Sequence, residues 1–71
     1  MSESIYKIIE LVGTSESSWE DAIKNCIATA SASLKELRVA EVTRLDVKIR
    51  EGQIVKYRVR VKVSFKYMKE E

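Results

Sequence analysis

Lys56, Arg58, Arg60, Lys62 and Lys66 recur at even positions near the end of the chain, and Arg38, Arg44, Lys48 and Arg50 do so in the segment before it. Side chains two apart on an extended backbone project to one side, so each set predicts a cationic strip. If a hairpin turns both strips the same way, like charges stand opposite one another, which is destabilising. The chemistry that fits is capture of an anion, such as a nucleotide phosphate or the pyrophosphate of a cofactor. Arginine supplies a planar donor fork for such groups, so Arg38, Arg44, Lys48 and Arg58 are ligand-binding candidates. The plainer alternative is neutralisation by Glu41, Asp46, Glu51 or acids of neighbouring copies, or simple solvation that also protects the strands from pairing edge to edge.

Covalent and acid–base chemistry finds little support. The chain has no histidine and one cysteine, Cys26. General acid–base work would fall to Glu, Asp, Lys or Tyr, and no pair of carboxylates shares an apolar surface. Cys26 lies between Ile23 and Ile27 with no imidazole to activate it, which marks an inert core thiol. Neither glycine sits in a phosphate-loop or dinucleotide fingerprint. A zinc site lacks ligands. The expectation is a binding protein and not an enzyme.

The elements that must carry these residues are legible. Ile5 to Val12 is rich in β-branched residues and stops at Gly13, which predicts a first strand and then a loop. A helix follows, capped by Ser17 with Glu20 or by Ser18 with Asp21. Trp19, Ala22, Ile23, Cys26, Ile27, Ala30, Leu34 and Leu37 form one apolar stripe of about five turns. Trp19 reads as core or staple packing at the helix start. From Arg38 the period becomes two. Val39, Glu41, Thr43, Leu45, Val47 and Ile49 alternate with Arg38, Ala40, Val42, Arg44, Asp46, Lys48 and Arg50. Glu51-Gly52 is a turn signal. Val55, Tyr57, Val59, Val61, Val63, Phe65 and Tyr67 then oppose the second cationic strip. Strict alternation of this length predicts long antiparallel strands with one buried face.

The fold class is therefore α+β, a β-α-β-β protomer with a three-stranded antiparallel sheet packed on one helix. It occupies all 71 residues as one domain. A chain this short buries only about 60% of its unfolded surface and needs a staple. One cysteine excludes an internal disulfide. The helix, about 28 Å long, is too short for a hairpin of about 40 Å, so copies of the same chain are the cheapest cover. A closed homo-oligomer follows.

Several segments resemble the dodecin family. Tyr6-Lys7-Ile8-Ile9-Glu10-Leu11-Val12-Gly13-Thr14-Ser15 is similar to its opening strand, and Ser18-Trp19-Glu20 to its helix start. Leu37-Arg38-Val39-Ala40-Glu41-Val42 resembles the entry to its second strand, and Tyr57 through Phe65 its closing strand. The resemblance covers nearly the whole chain. It implies a hollow shell of twelve identical subunits that stores or scavenges flavin (riboflavin, FMN or FAD) at subunit interfaces. In that pattern a tryptophan before the Ala-Glu-Val segment stacks on the ring, and a glutamine after the closing-strand tyrosine binds its polar edge. Here Val39 stands at the first position and Arg58 at the second. Valine removes a stacking contribution of about 0.5–1.5 kcal/mol, and Arg58 donates only. Both changes weaken the case for flavin. A tryptophan-lacking branch that includes calcium-binding members is also similar around Arg38-Val39-Ala40, although no ladder of acids with calcium-loop spacing is present.

Two other readings stay open. A basic β-ribbon can enter a nucleic-acid groove, but the basic face of the hairpin carries no aromatic for base stacking. A shell that binds another anion or a metal ion is the second. No apolar run approaches a membrane span, Met1-Ser2-Glu3-Ser4 lacks the start of a signal peptide, and the unpaired cysteine suits a reducing cytoplasm.

Overall fold

The computed structural model describes residues 5–66; Tyr67, assigned above to the apolar face, and Met1-Ser2-Glu3-Ser4 lie outside the described residues. The elements are β1 (Tyr6–Ser15), α1 (Trp19–Ser33), β2 (Leu37–Arg50) and β3 (Gln53–Lys66). They form the expected β-α-β-β protomer. The sheet is antiparallel with order β1-β3-β2, so β3 is central and both other strands are edges.

The centre of β3 shows why the sheet has two unlike faces. Val59, Val61 and Val63 are at most 1% exposed, while Arg58, Arg60 and Lys62 between them are exposed. The valines pack with Ala22 and Cys26 of α1, bordered by Ile9, Leu11, Ile23, Ile27 and Leu37. Burying each valine contributes about 1.5 kcal/mol or more. The helix lies on β1 and β3 and barely touches β2. Val42 and Leu45 of β2 consequently stay 41% and 50% exposed.

β1 runs three residues past its expected end, through Gly13, Thr14 and Ser15. Gly13 is a strand residue opposite Val59, where α1 comes closest. A Cβ at that position would stand 2.7 Å from the Ala22 carbonyl oxygen and 2.8 Å from the Cys26 Cβ. The glycine therefore marks close backbone approach, not a strand end.

The helix start follows the second capping alternative. Ser18 is the N-cap and its hydroxyl accepts from the Asp21 backbone N–H at 3.0 Å. The return half of the box passes through Ser15: its buried hydroxyl donates to the Asp21 carboxylate at 2.7 Å and accepts from the Ser17 N–H at 2.9 Å. The helix end differs from expectation. It stops at Ser33, with Leu34 as an extended C-cap. Glu36 adopts φ 63° and Leu37 already pairs with Phe65 in the sheet. The apolar stripe continued through Leu34 and Leu37, but those side chains serve the connection and the strand. Fifteen residues span about 22 Å, against about 46 Å for each 14-residue strand of the hairpin.

Candidate functional site

The sheet face away from the helix carries the cationic residues of β3, and its register sets what each one meets. Partners directly opposite in adjacent strands share a face. Starting near the hairpin turn, Lys56 faces Lys48, and Arg58 lies between Asp46 and Thr14. Arg60 lies between Arg44 and Val12, Lys62 between Glu41 and Glu10, and Ser64 between Val39 and Ile8. Lys66 ends the row opposite Tyr6.

β2 does not keep one alternation, and here the expected strip requires correction. The register shifts between Leu37 and Val39, between Val42 and Arg44, and between Lys48 and Ile49. Such bulges add an unpaired residue and change which way the following side chains point. Thr43 is the extra residue of the middle shift; its hydroxyl donates to the Arg60 carbonyl oxygen at 3.1 Å. Ala40 and Val42, before it, pair with the buried Val63 and Val61. After it the phase is reversed, and Leu45 and Val47 pair with Val59 and Tyr57. Arg44, Asp46 and Lys48 are thus on the open face, and Ala40 and Val42 are not. Arg38 is the extra residue of the first bulge and pairs with Glu36 at 2.8 Å. Arg50 sits at the turn opposite Gln53.

Acids interleave with part of the basic face, as the plainer reading anticipated. Arg58 donates to both oxygens of Asp46, at 2.8 and 3.3 Å. Arg60 reaches Glu10 only at 4.0 Å. These groups are nearly half exposed, so each pair contributes at most about 1 kcal/mol. The same Asp46 offers its carbonyl oxygen to the indole N–H of Trp19 at 3.0 Å. The Trp19 ring meets Tyr57 edge-on with centroids 5.1 Å apart. Trp19 thus clips the helix start to the hairpin while remaining 37% exposed, a peripheral staple more than a core residue. Nothing in the local sequence pattern identified Asp46 as the residue on which these two contacts converge.

The two positions implicated by family resemblance are separated. Val39 is 62% exposed beside Ser64, while Arg58 is six residues away along β3, about 20 Å. One chain does not bring them together. Arg44 and Lys48 are neither beside Val39 nor paired with Arg58. Cys26 is buried, and desolvation raises its thiol pKa above the usual value, which suits its place in the core. A separate cleft of about 530 Å³ runs between β1 and α1, lined by Leu11, Gly13, Cys26, Ala30 and Leu34 among others; it holds none of the expected ligand residues. Among the described residues no cluster of three or more His, Cys, Asp or Glu side chains could hold a metal, and no helix is long and apolar enough to cross a membrane.

Known proteins give this arrangement a family. The dodecin family model matches residues 5–68. Calcium dodecin of Mycobacterium tuberculosis is 38% identical over 63 residues, covering 89% of each chain. Dodecin of Thermus thermophilus is 39% identical over 62 residues, covering 87% of this chain and 90% of its own. The solved dodecin of Streptomyces coelicolor superposes with a TM-score of 0.92 at 33% identity, over 99% of this chain and all of its own. Dodecins are small binding and storage proteins, not enzymes. With a matching fold and near-complete coverage, the chain belongs to the dodecin family.

Proposed function

We propose that the protein acts as a homo-oligomeric dodecin-type shell of twelve copies that binds its ligand between subunits. The observation that carries this reading is the separation of Val39 from Arg58 by about 20 Å along β3. A flavin ring is too short to reach both positions in one copy, so a ring that contacts both is held by two copies. The uncovered apolar side chains of β2, Val42 and Leu45, and of the hairpin end, Ile49 and Ile54, support assembly, because a neighbouring copy would remove them from water.

Flavin is the family's ligand class, and here it would be held without tryptophan stacking. Arg58 is already engaged by Asp46, so it offers the ring fewer free donors. A calcium role, suggested by the relative's name, has less support, since no acidic cluster exists among the described residues. The buried free thiol of Cys26 suits a reducing compartment such as the cytoplasm.

Light scattering tests the assembly: the expected mass is about twelve times the 8.2 kDa chain, and a stable monomer or dimer in dilute solution would end the proposal. Riboflavin and FMN titrations, followed by flavin fluorescence, test the ligand. Val39→Trp should tighten flavin binding by roughly three- to tenfold, the equivalent of one aromatic stack. No gain in that variant, with the large mass intact, would remove Val39 from any flavin site.

A further inference from the structure

The open face of the sheet is charge-balanced at one end and not at the other. Rung by rung along β3, Arg58 is matched by Asp46, and Lys62 stands between two acids, Glu10 and Glu41. The rungs on either side of Arg58 have no such compensation. Arg44 is directly opposite Arg60, and Lys48 directly opposite Lys56. Arg60's acid, Glu10, is 4.0 Å away and sits opposite Lys62 in its own rung. Among the described residues, Arg44, Lys48 and Lys56 have no carboxylate within ion-pair distance. Four cations therefore bracket one neutral ion pair over about 13 Å of strand.

Like charges in directly opposed positions are destabilising, and a sheet fixes the backbone beneath them, so only the side chains can splay. An anion placed between the rungs relieves both pairs at once. We infer that the Arg44–Arg60 and Lys48–Lys56 rungs form a binding site for a small phosphate-bearing ligand on the open face of the sheet. The guanidiniums of Arg44 and Arg60 supply forked donors for a phosphoryl group. Lys48 and Lys56 supply point charges for a second phosphoryl group or for one charge-extended ligand. A tract that ends against Glu10 and Glu41 favours a compact polyphosphate or nucleotide over a long nucleic-acid backbone, which those acids would repel. The site needs one chain only. It borders Arg58, which the interfacial flavin reading also uses, but does not require it, so failure of either leaves the other intact.

Calorimetric titration of the assembled protein with inorganic pyrophosphate, at low and at high salt, tests this. Binding is expected at low salt and should weaken as salt rises. Arg44→Gln with Arg60→Gln should weaken it about tenfold or more, while Lys66→Gln, beyond the acid rung, should change it less than about twofold. Lys48→Gln with Lys56→Gln gives a second reading if the arginine variant misfolds, and circular dichroism checks folding of each. Absence of pyrophosphate binding at low salt overturns the inference, as does binding by both double variants as tight as that of the unaltered protein. Loss of the large mass in the arginine variant, without wild-type pyrophosphate binding, would assign the cations to acids of another copy. A short DNA duplex that binds more tightly than pyrophosphate and depends on the same four residues would overturn the small-ligand assignment in favour of nucleic acid.

Discussion

The two faces of β3 are built on different terms. On the helix side, Val59, Val61 and Val63 are fixed by contact with Ala22 and Cys26, and each is determined by shape. On the open side, Arg58, Arg60 and Lys62 touch little and are determined by the charges opposite them. Packing is short-ranged and intolerant of added volume. Exposed charge is softened by water and salt. A substitution on one face should therefore be a stability event, and on the other a ligand event.

The contrast is broken most severely at Gly13. Gly13→Leu forces a side chain into a space where even a Cβ meets the Ala22 carbonyl oxygen at 2.7 Å. The helix must lift from β1, and we expect loss of more than about 3 kcal/mol, or no soluble protein; chemical denaturation reads it. Val61→Ala comes next. This residue is fully buried, so the variant should lose about 2 kcal/mol while pyrophosphate binding by the folded fraction is unchanged. A cost below about 0.5 kcal/mol would mean the core beneath α1 is loose.

On the open face the expected energies shrink. Asp46→Asn removes the acid that balances Arg58 at 2.8 Å. Stability should fall by no more than about 1 kcal/mol, but pyrophosphate should bind more tightly, because a fifth cation joins the tract. Unchanged binding would separate Arg58 from the anion site. The smallest effect belongs to the turn. Glu51 and Gly52 have φ values of 52° and 76°, the pattern of a two-residue type I′ hairpin. Asparagine tolerates that backbone better than glutamate, so Glu51→Asn should raise the thermal midpoint slightly, by roughly 0.5 kcal/mol of stability.

How far the sequence carried each face also differs. The valine series of β3 and the Glu51-Gly52 turn were legible because each depends on residues adjacent in sequence, and the same local signals narrowed the helix cap to Ser17 or Ser18. The close approach at Gly13 was not, since it belongs to the contact of two distant segments. The end of α1 was hidden because Leu34 and Leu37 keep the helical spacing although they serve other elements. The phase of β2 was hidden for a different reason: Thr43 fits a simple alternation, and only pairing against β3 exposes it as an extra residue. Of the candidate site, the cationic character of Arg44, Lys48 and Arg58 could be read directly. Which of them Asp46 would neutralise, and how far Val39 would stand from Arg58, required the register.

The bulge at Thr43 gives β2 a rule of growth. The strand reads as two alternating phrases joined out of step, with Ala40 and Val42 on the covered side before the join and Leu45 and Val47 after it. Losing Thr43 alone would bring the phrases into step without turning either over: Val42, Arg44 and Leu45 would keep Val61, Arg60 and Val59 opposite them, and the strand would run as one alternation. Away from the join a one-residue change would turn the residues beyond it over, so variants of this strand can lengthen or shorten there only by two residues at a time. Drift in the length of β2 is quantised by the pleat.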